Sequence, residues 1–302
     1  MQMNQKIRLP DERLDGWTKT TELTEPEATV PGQYMLFFHG LGMPPIPGDD
    51  FDELREFQQM RFGVRGRLTH LAHHHAPHTV NRLNWRDGWS LGMQDLHEAY
   101  LENGNKPVLL VGASLGGLLS VSLAAHAPEM VRGVLLGAPL LGLAVWPRIG
   151  LRLVQILKFI PQLYPGWSWL HLLKMSHFRK ESGIPAIDQM YENLDLVTVE
   201  ETLHPALDTL SISLRKLEKS DMPIFAFHGD QDTVTSADET ARIIDGWTGQ
   251  GRKNCGYSIV PGAGHDLLVT EELRKALAFE MSLWLRDQIG WKTRREFALA
   301  VA

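Results

Sequence analysis

The chain has one cysteine, Cys255, so no disulfide can form within it and a packed core must hold its fold. That scarcity fits a reducing compartment and gives the expectation of a cytoplasmic protein. No apolar run approaches the roughly 18 uninterrupted residues that span a bilayer. The opening stretch MQMNQKIRLPDERLD has no apolar centre, so no secretory signal is expected. Basic residues are not in excess: 30 Lys and Arg against 36 Asp and Glu give a formal charge of −6. They are also scattered, which argues against the basic footprint of a nucleic-acid binder. Internal repeats are absent too, which excludes a repeat architecture. What remains is 302 residues, 43% of them hydrophobic, enough for one large core in one or two domains.

Short apolar runs at 34–38, 107–111 and 223–227 read as strands, each ending in glycine or a residue with chemistry to offer. Runs without polar alternation suit strands covered on both faces, as in a parallel sheet. Val131 to Leu136 and Tyr257 to Val260 read as two more. Helical patterns lie between them. Asp50 and Glu53 form a capping box ahead of Phe51, Leu54, Phe57 and Met60. A second helix runs from Leu115 to Ala127 and stops before Pro128. A third carries Leu273, Leu277, Met281, Trp284 and Leu285 on one face, with Glu271 and Glu272 placed to favour its N-terminal dipole. This β-α-β-α order predicts an α/β fold with a mostly parallel, doubly wound sheet.

From Leu140 to Asp221 the alternation stops, and roughly eighty residues pass with helical patterns and no convincing strand. The expected organisation is therefore a core in two parts, 1–139 and 222–302, with 140–221 inserted as a helical cap. The first cap helix begins near Pro147 and ends before Pro161. Its polar residues Arg148, Arg152, Gln155 and Lys158 form only a narrow stripe, which leaves apolar surface to spare.

The strongest chemical signal is Gly112-Ala113-Ser114-Leu115-Gly116, a G-x-S-x-G sequence that follows a predicted strand and opens a predicted helix. A serine on such a turn takes up strained dihedrals, and Gly112 and Gly116 are needed because neighbouring backbone passes close by. A hydroxyl is a poor nucleophile at neutral pH and needs a base within hydrogen-bond reach. Of thirteen histidines, His265 stands out. It lies in the loop Pro261-Gly262-Ala263-Gly264-His265-Asp266, after the last predicted strand, where side chains reach ligands bound at the sheet edge. A carboxylate must then hold the imidazole in the right tautomer. Asp230 and Asp232 both follow the strand at 223–227. Asp232 is preferred, because Asp230 sits nearer the strand end and can cap the turn. His39-Gly40-Leu41-Gly42 follows the first strand. Two inward N–H groups stabilise a developing oxyanion, with roughly 3 kcal/mol from one donor. The candidate donors are Leu41 and Leu115, and His39 is read as a structural support for that loop.

The motifs HGLG, GASLGG, HGDQDTV and GAGHDLL, in this order and at these separations, resemble the α/β-hydrolase superfamily. The similarity is to the branch of monoacylglycerol lipases, carboxylesterases and serine aminopeptidase-like hydrolases, and spans roughly residues 34 to 287. It implies Asp232 over Asp230 as the acid. It also implies that the helical insert is a lid over an acyl pocket. Where relatives carry a glycine-rich P-G-H-G turn, this chain has LAHHHAPH, from Leu71 to His78.

Other signals yield less. His73, His74 and His75, with His70 and His78 nearby, invite a metal reading, but consecutive side chains diverge while zinc needs converging ligands. No metal and no cofactor are expected. The apolar cap, with Trp146, Trp167 and Trp169, is read first as a pocket roof and second as a surface for weak interfacial lipid contact. The expected activity is hydrolysis of a carboxylic ester bearing a lipophilic acyl or alkyl group, through an acyl-enzyme on Ser114. The alternatives are a thioesterase or acyltransferase using the same residues, and a low-turnover ligand-binding receptor. Haloalkane dehalogenases and epoxide hydrolases place a carboxylate at the elbow, so Ser114 argues against both. The sequence assigns no oligomeric state.

Overall fold

The computed structural model describes residues 32–41, 64–69, 84–145, 148–149, 151–152, 192, 196–267 and 271–291. Within these the strands are β1 (Tyr34–Phe38), β2 (Arg65–Thr69), β3 (Val108–Ala113), β4 (Val131–Gly137), β5 (Ile224–Gly229) and β6 (Cys255–Val260). The helices are α1 (Trp85–Glu102), α2 (Leu115–His126), α3 (Leu196–Glu218), α4 (Ala237–Gly249) and α5 (Glu271–Asp287). A 3₁₀ turn, Pro128–Met130, leads into β4.

The six strands form one sheet in the order β2-β1-β3-β4-β5-β6, and every neighbouring pair is parallel. The chain moves outward from β1 to β2, crosses back to β3, and then proceeds through β4, β5 and β6. The direction of winding therefore reverses between β1 and β3. At such a switch point the loops leaving the carboxyl ends of the two strands part and open a crevice. His39 follows β1 and Ser114 follows β3, so the topology sets both at the mouth of that crevice.

Strand residues alternate between two apolar layers. Leu36, Phe38, Leu110, Leu136 and Ala226 share one layer with α1, α2, α3 and α4. Met35, Phe37, Leu109, Leu135, Phe225 and Phe227 face the other, where Leu277, Met281, Trp284 and Leu285 of α5 cover them. Both faces are dry, which is why the central strands read as continuous apolar runs. Each such side chain fully buried contributes about 1.5–3 kcal/mol relative to exposure. Helix α2 is buried on almost all sides, matching its uniformly apolar sequence. Strand β2 differs. Among the described strands it lies at one end of the sheet, partly exposed, and its Arg67 bonds Asp95 and Glu98 of α1, each at 3.1 Å.

Of the segment 140–221, the described residues are helical except for residues 219–221 ahead of β5 and a short stretch after β4. There Leu143 forms an isolated antiparallel bridge with Thr235, the Ala144 amide donates to Val234 O at 3.0 Å, and the Ser236 amide donates to Gly142 O at 3.0 Å. The first residues of this segment are thus fastened to the loop after β5. The sequence expectations for 50–60, for His70 to His78, for most of the helix from Pro147 to Pro161, and for Trp146, Trp167 and Trp169 lie outside the described residues, as do the side chains of Glu271 and Glu272. No helix among the described residues is long and apolar enough to cross a membrane.

Candidate active site

Ser114 sits between β3 and α2 with φ 51° and ψ −118°. Positive φ costs a non-glycine residue roughly 1–3 kcal/mol, so the surroundings must enforce it. Its amide donates to Gly137 O at 3.0 Å, and its carbonyl accepts from the amides of Gly117 (3.0 Å) and Leu140 (2.9 Å). Close approach makes the glycines of the motif necessary. A Cβ on Gly116 would lie 2.2 Å from the Phe38 carbonyl oxygen, and one on Gly112 would lie 2.3 Å from that of Gly116. The turn is therefore pressed directly against the end of β1.

The other two candidates reach Ser114 from separate loops. His265, from the loop after β6, places Nε2 3.0 Å from Ser114 Oγ and Nδ1 2.8 Å from Asp232 Oδ2. A carboxylate only accepts, so His265 carries its proton on Nδ1, and its Nε2 lone pair faces the serine hydroxyl. The two loops are fastened to each other beyond the sheet. The Gln231 amide donates to Ala263 O at 2.9 Å, and the Gly262 amide donates to Asp230 Oδ1 at 2.7 Å. Asp230 thus holds the His265 loop, while Asp232 meets the imidazole. Gly229 permits the contact, since a Cβ there would be 2.2 Å from Ala263 O.

Asp232 has no exposed side-chain surface. Five donors surround it. Oδ1 accepts from the amides of Val234 (2.8 Å) and Thr235 (2.9 Å), and Oδ2 from His265, from the Thr235 hydroxyl (2.7 Å) and from His228 Nε2 (3.0 Å). Burial alone would favour the neutral acid. The charge interaction with His265 and the hydrogen bonds from His228, His265 and Thr235 outweigh it and hold the carboxyl well below the usual carboxylate range.

His228 and Thr235 had no place in the sequence reading. A signal for His228 exists: it is the one polar side chain in an otherwise apolar strand, four residues before an aspartate. A polar group there needs a buried partner.

Leu41 and Leu115 are buried and line the same cleft as Ser114. Leu115 is the first residue of α2, where an N–H has no intrahelical acceptor. His39, also buried, donates from Nδ1 to the carbonyl oxygen of Gly40 at 2.9 Å. The cleft is narrow and open to solvent, and Leu140, Leu143, Leu151, Val199 and Leu203 line its far side. Val199 and Leu203 come from α3, so the wall opposite the serine is built by the segment after β4. Among the described residues, the only polar ones in the lining are Ser114 and Thr235. Among the described residues no group of His, Cys, Asp and Glu is arranged to hold a metal ion.

The family described as "Serine aminopeptidase, S33" matches the chain over residues 82–272. No curated protein sequence matches it significantly. Among solved structures, it is similar to the monoacylglycerol lipase of Paleococcus ferrophilus, with 17% identity, TM-score 0.57, and coverage of 85% of this chain and 95% of that one. A soluble variant of the monoglyceride lipase of Saccharomyces cerevisiae, solved with a substrate analogue, shares 15% identity with TM-score 0.61, covering 87% and 88%. A thioesterase domain from the curacin biosynthetic pathway shares 17% identity with TM-score 0.52, covering 85% and 92%.

Proposed function

The chain belongs to the serine aminopeptidase S33 family and has the α/β-hydrolase fold; on that premise we propose that it hydrolyses carboxylic esters with a lipophilic acyl or alkyl group. The observation that carries this reading is the hydrogen-bonded line Ser114–His265–Asp232, with spacings of 3.0 and 2.8 Å, opening on an apolar cleft. Ser114 Oγ attacks the ester carbonyl while His265 Nε2 takes its proton. The amides of Leu41 and Leu115 hold the oxygen on which charge develops. His265 then returns the proton to the departing alcohol, leaving an acyl group on Ser114. Water attacks that ester with His265 again as base, and the acid leaves. Asp232 keeps the Nδ1 proton in place and stabilises the imidazolium.

The described lining of the cleft has no charged side chain, which suits an acyl chain better than the ammonium end of a peptide. Residues 140–221 act, on this reading, as a cap that supplies the far wall through Leu151, Val199 and Leu203. The test is turnover of p-nitrophenyl esters from acetate to decanoate. Butyrate or longer esters should be cleaved, and Ser114→Ala should remove that activity while leaving the far-ultraviolet circular dichroism spectrum unchanged. Absence of turnover on every chain length by the folded wild type would overturn the proposal.

A further inference from the structure

His228 is the penultimate residue of β5, pairs in register with Ile259 of β6, and points to the face covered by α4. It has no exposed side-chain surface. Both ring nitrogens are engaged: Nδ1 lies 3.1 Å from Thr240 Oγ1 of α4, and Nε2 lies 3.0 Å from Asp232 Oδ2 and 3.2 Å from Thr235 Oγ1. The partners assign the protons. Asp232 is acceptor-only, so the His228 nitrogen beside it is N–H. The Thr235 hydroxyl has one proton, and its shortest contact, 2.7 Å, is to the same carboxylate oxygen. Its approaches to His228 Nε2 and to His265 Nδ1 (3.3 Å) are therefore made as an acceptor. Two imidazole N–H groups and one hydroxyl converge on a single oxygen, and only one of the three belongs to the residue that faces Ser114.

We propose that His228 is a positioning residue, holding Asp232 Oδ2 from the side opposite the substrate so that its lone pair stays aimed at His265. The proposal rests on the assignment of Ser114, His265 and Asp232 made above. A carboxyl group turns easily about its terminal torsion. The two backbone amides fix Oδ1, and the buried imidazole, itself fixed through Thr240 on α4, holds Oδ2. A change at His228 therefore acts on proton transfer at His265 and not on the cleft, whose lining does not include it.

The geometry permits a paired test. A glutamine amide reaches the position of Nε2, and an asparagine amide reaches that of Nδ1. His228→Gln keeps a donor on Asp232, whereas His228→Asn bonds only toward Thr240. With p-nitrophenyl butyrate, His228→Asn should lower kcat about 10- to 100-fold, as loss of the partner of an orienting group does elsewhere, with KM within about twofold. His228→Gln should recover most of kcat. Thr240→Val, which removes the anchor of the ring without touching Asp232, should lower kcat severalfold at unchanged KM. It decides the matter if neither His228 variant folds. Equal kcat in the Gln and Asn variants, a loss expressed in KM, or an unaltered Thr240→Val enzyme would each overturn the proposal. Ser114→Ala, run alongside, separates the two readings. If it retains the wild-type rate, the active-site assignment itself is wrong and this inference falls with it.

Discussion

A carboxylate without exposed surface is tolerated only when its lone pairs are filled, and Asp232 meets that condition with five donors. Asp230, two residues earlier, instead accepts the Gly262 amide. The two aspartates therefore respond differently to the same substitution. Asp232→Asn puts an amide where an acceptor is required and should lower kcat about 10⁴-fold, the scale known for an orienting aspartate. Asp230→Asn still offers an oxygen to Gly262 and should stay within severalfold of the wild type; parallel kcat measurements decide.

The depressed pKa of Asp232 also has a stability consequence. A group whose pKa is lower in the folded than in the unfolded state stabilises above its unfolded value, about 3.9, and loses that contribution as pH falls toward its folded value. The difference in melting temperature between wild type and Asp232→Asn should not narrow between pH 8 and 5, and should shrink below about pH 4. Thermal melts across that range would expose the opposite pattern.

At this scale the sequence was legible where residues announce themselves in loops: Ser114 in its glycine frame, His265 and Asp232 beyond strand ends. His228 and Thr235 were not, because their roles depend on a carboxylate folded back over β5, and nothing local in the sequence specifies that return.

Elements whose burial is uniform were the easiest to foresee. The central strands β1, β3 and β5 fall within about two residues of the apolar runs at 34–38, 107–111 and 223–227, because both sheet faces are covered and no polar residue interrupts those runs. Strand β2, RGRLT, gave no such signal, since it lies at one end of the described sheet and four of its five residues are partly or fully exposed. Helix α1 was also missed. It buries only Trp85, Gly92, Leu96 and Ala99 among charged and polar neighbours, with glycine at two interior positions.

Glycines at two places separate close packing from backbone freedom. Gly116→Ala drives a Cβ into the Phe38 carbonyl and should lower both the melting temperature and turnover, because β1 and the elbow must move apart. Gly246 in α4 has nothing within 4 Å of an added Cβ. Gly246→Ala should stabilise by about 0.5–1 kcal/mol, as alanine does in a helix interior, without altering kcat. Denaturant unfolding and steady-state kinetics on the pair test both statements.

For the whole molecule, one feature of connectivity explains why residues 41, 114, 232 and 265 meet. All leave the same edge of a parallel sheet, two of them on either side of the reversal between β1 and β3. That arrangement was foreseeable from the β-α-β-α order, and a cap over an apolar pocket from the helical insert, whereas the residues of its wall were not, since Val199 and Leu203 lie on a helix more than eighty residues after Ser114. Leu203→Trp should fill that wall. It should lower kcat/KM for butyrate and longer esters by about tenfold, comparable to the loss of one or two methylenes of fit, and affect acetate less. An equal loss on all chain lengths would mean that the acyl group lies elsewhere.

Turnover on the proposed reading passes through a covalently acylated Ser114. Intact-mass measurement after treatment with a fluorophosphonate tests it most directly. One adduct per chain is expected, mapped to the peptide containing Ser114, absent in Ser114→Ala, and formed in step with the loss of ester turnover. Undiminished turnover in fully labelled protein, or a Ser114→Ala variant that works at the wild-type rate, would contradict it.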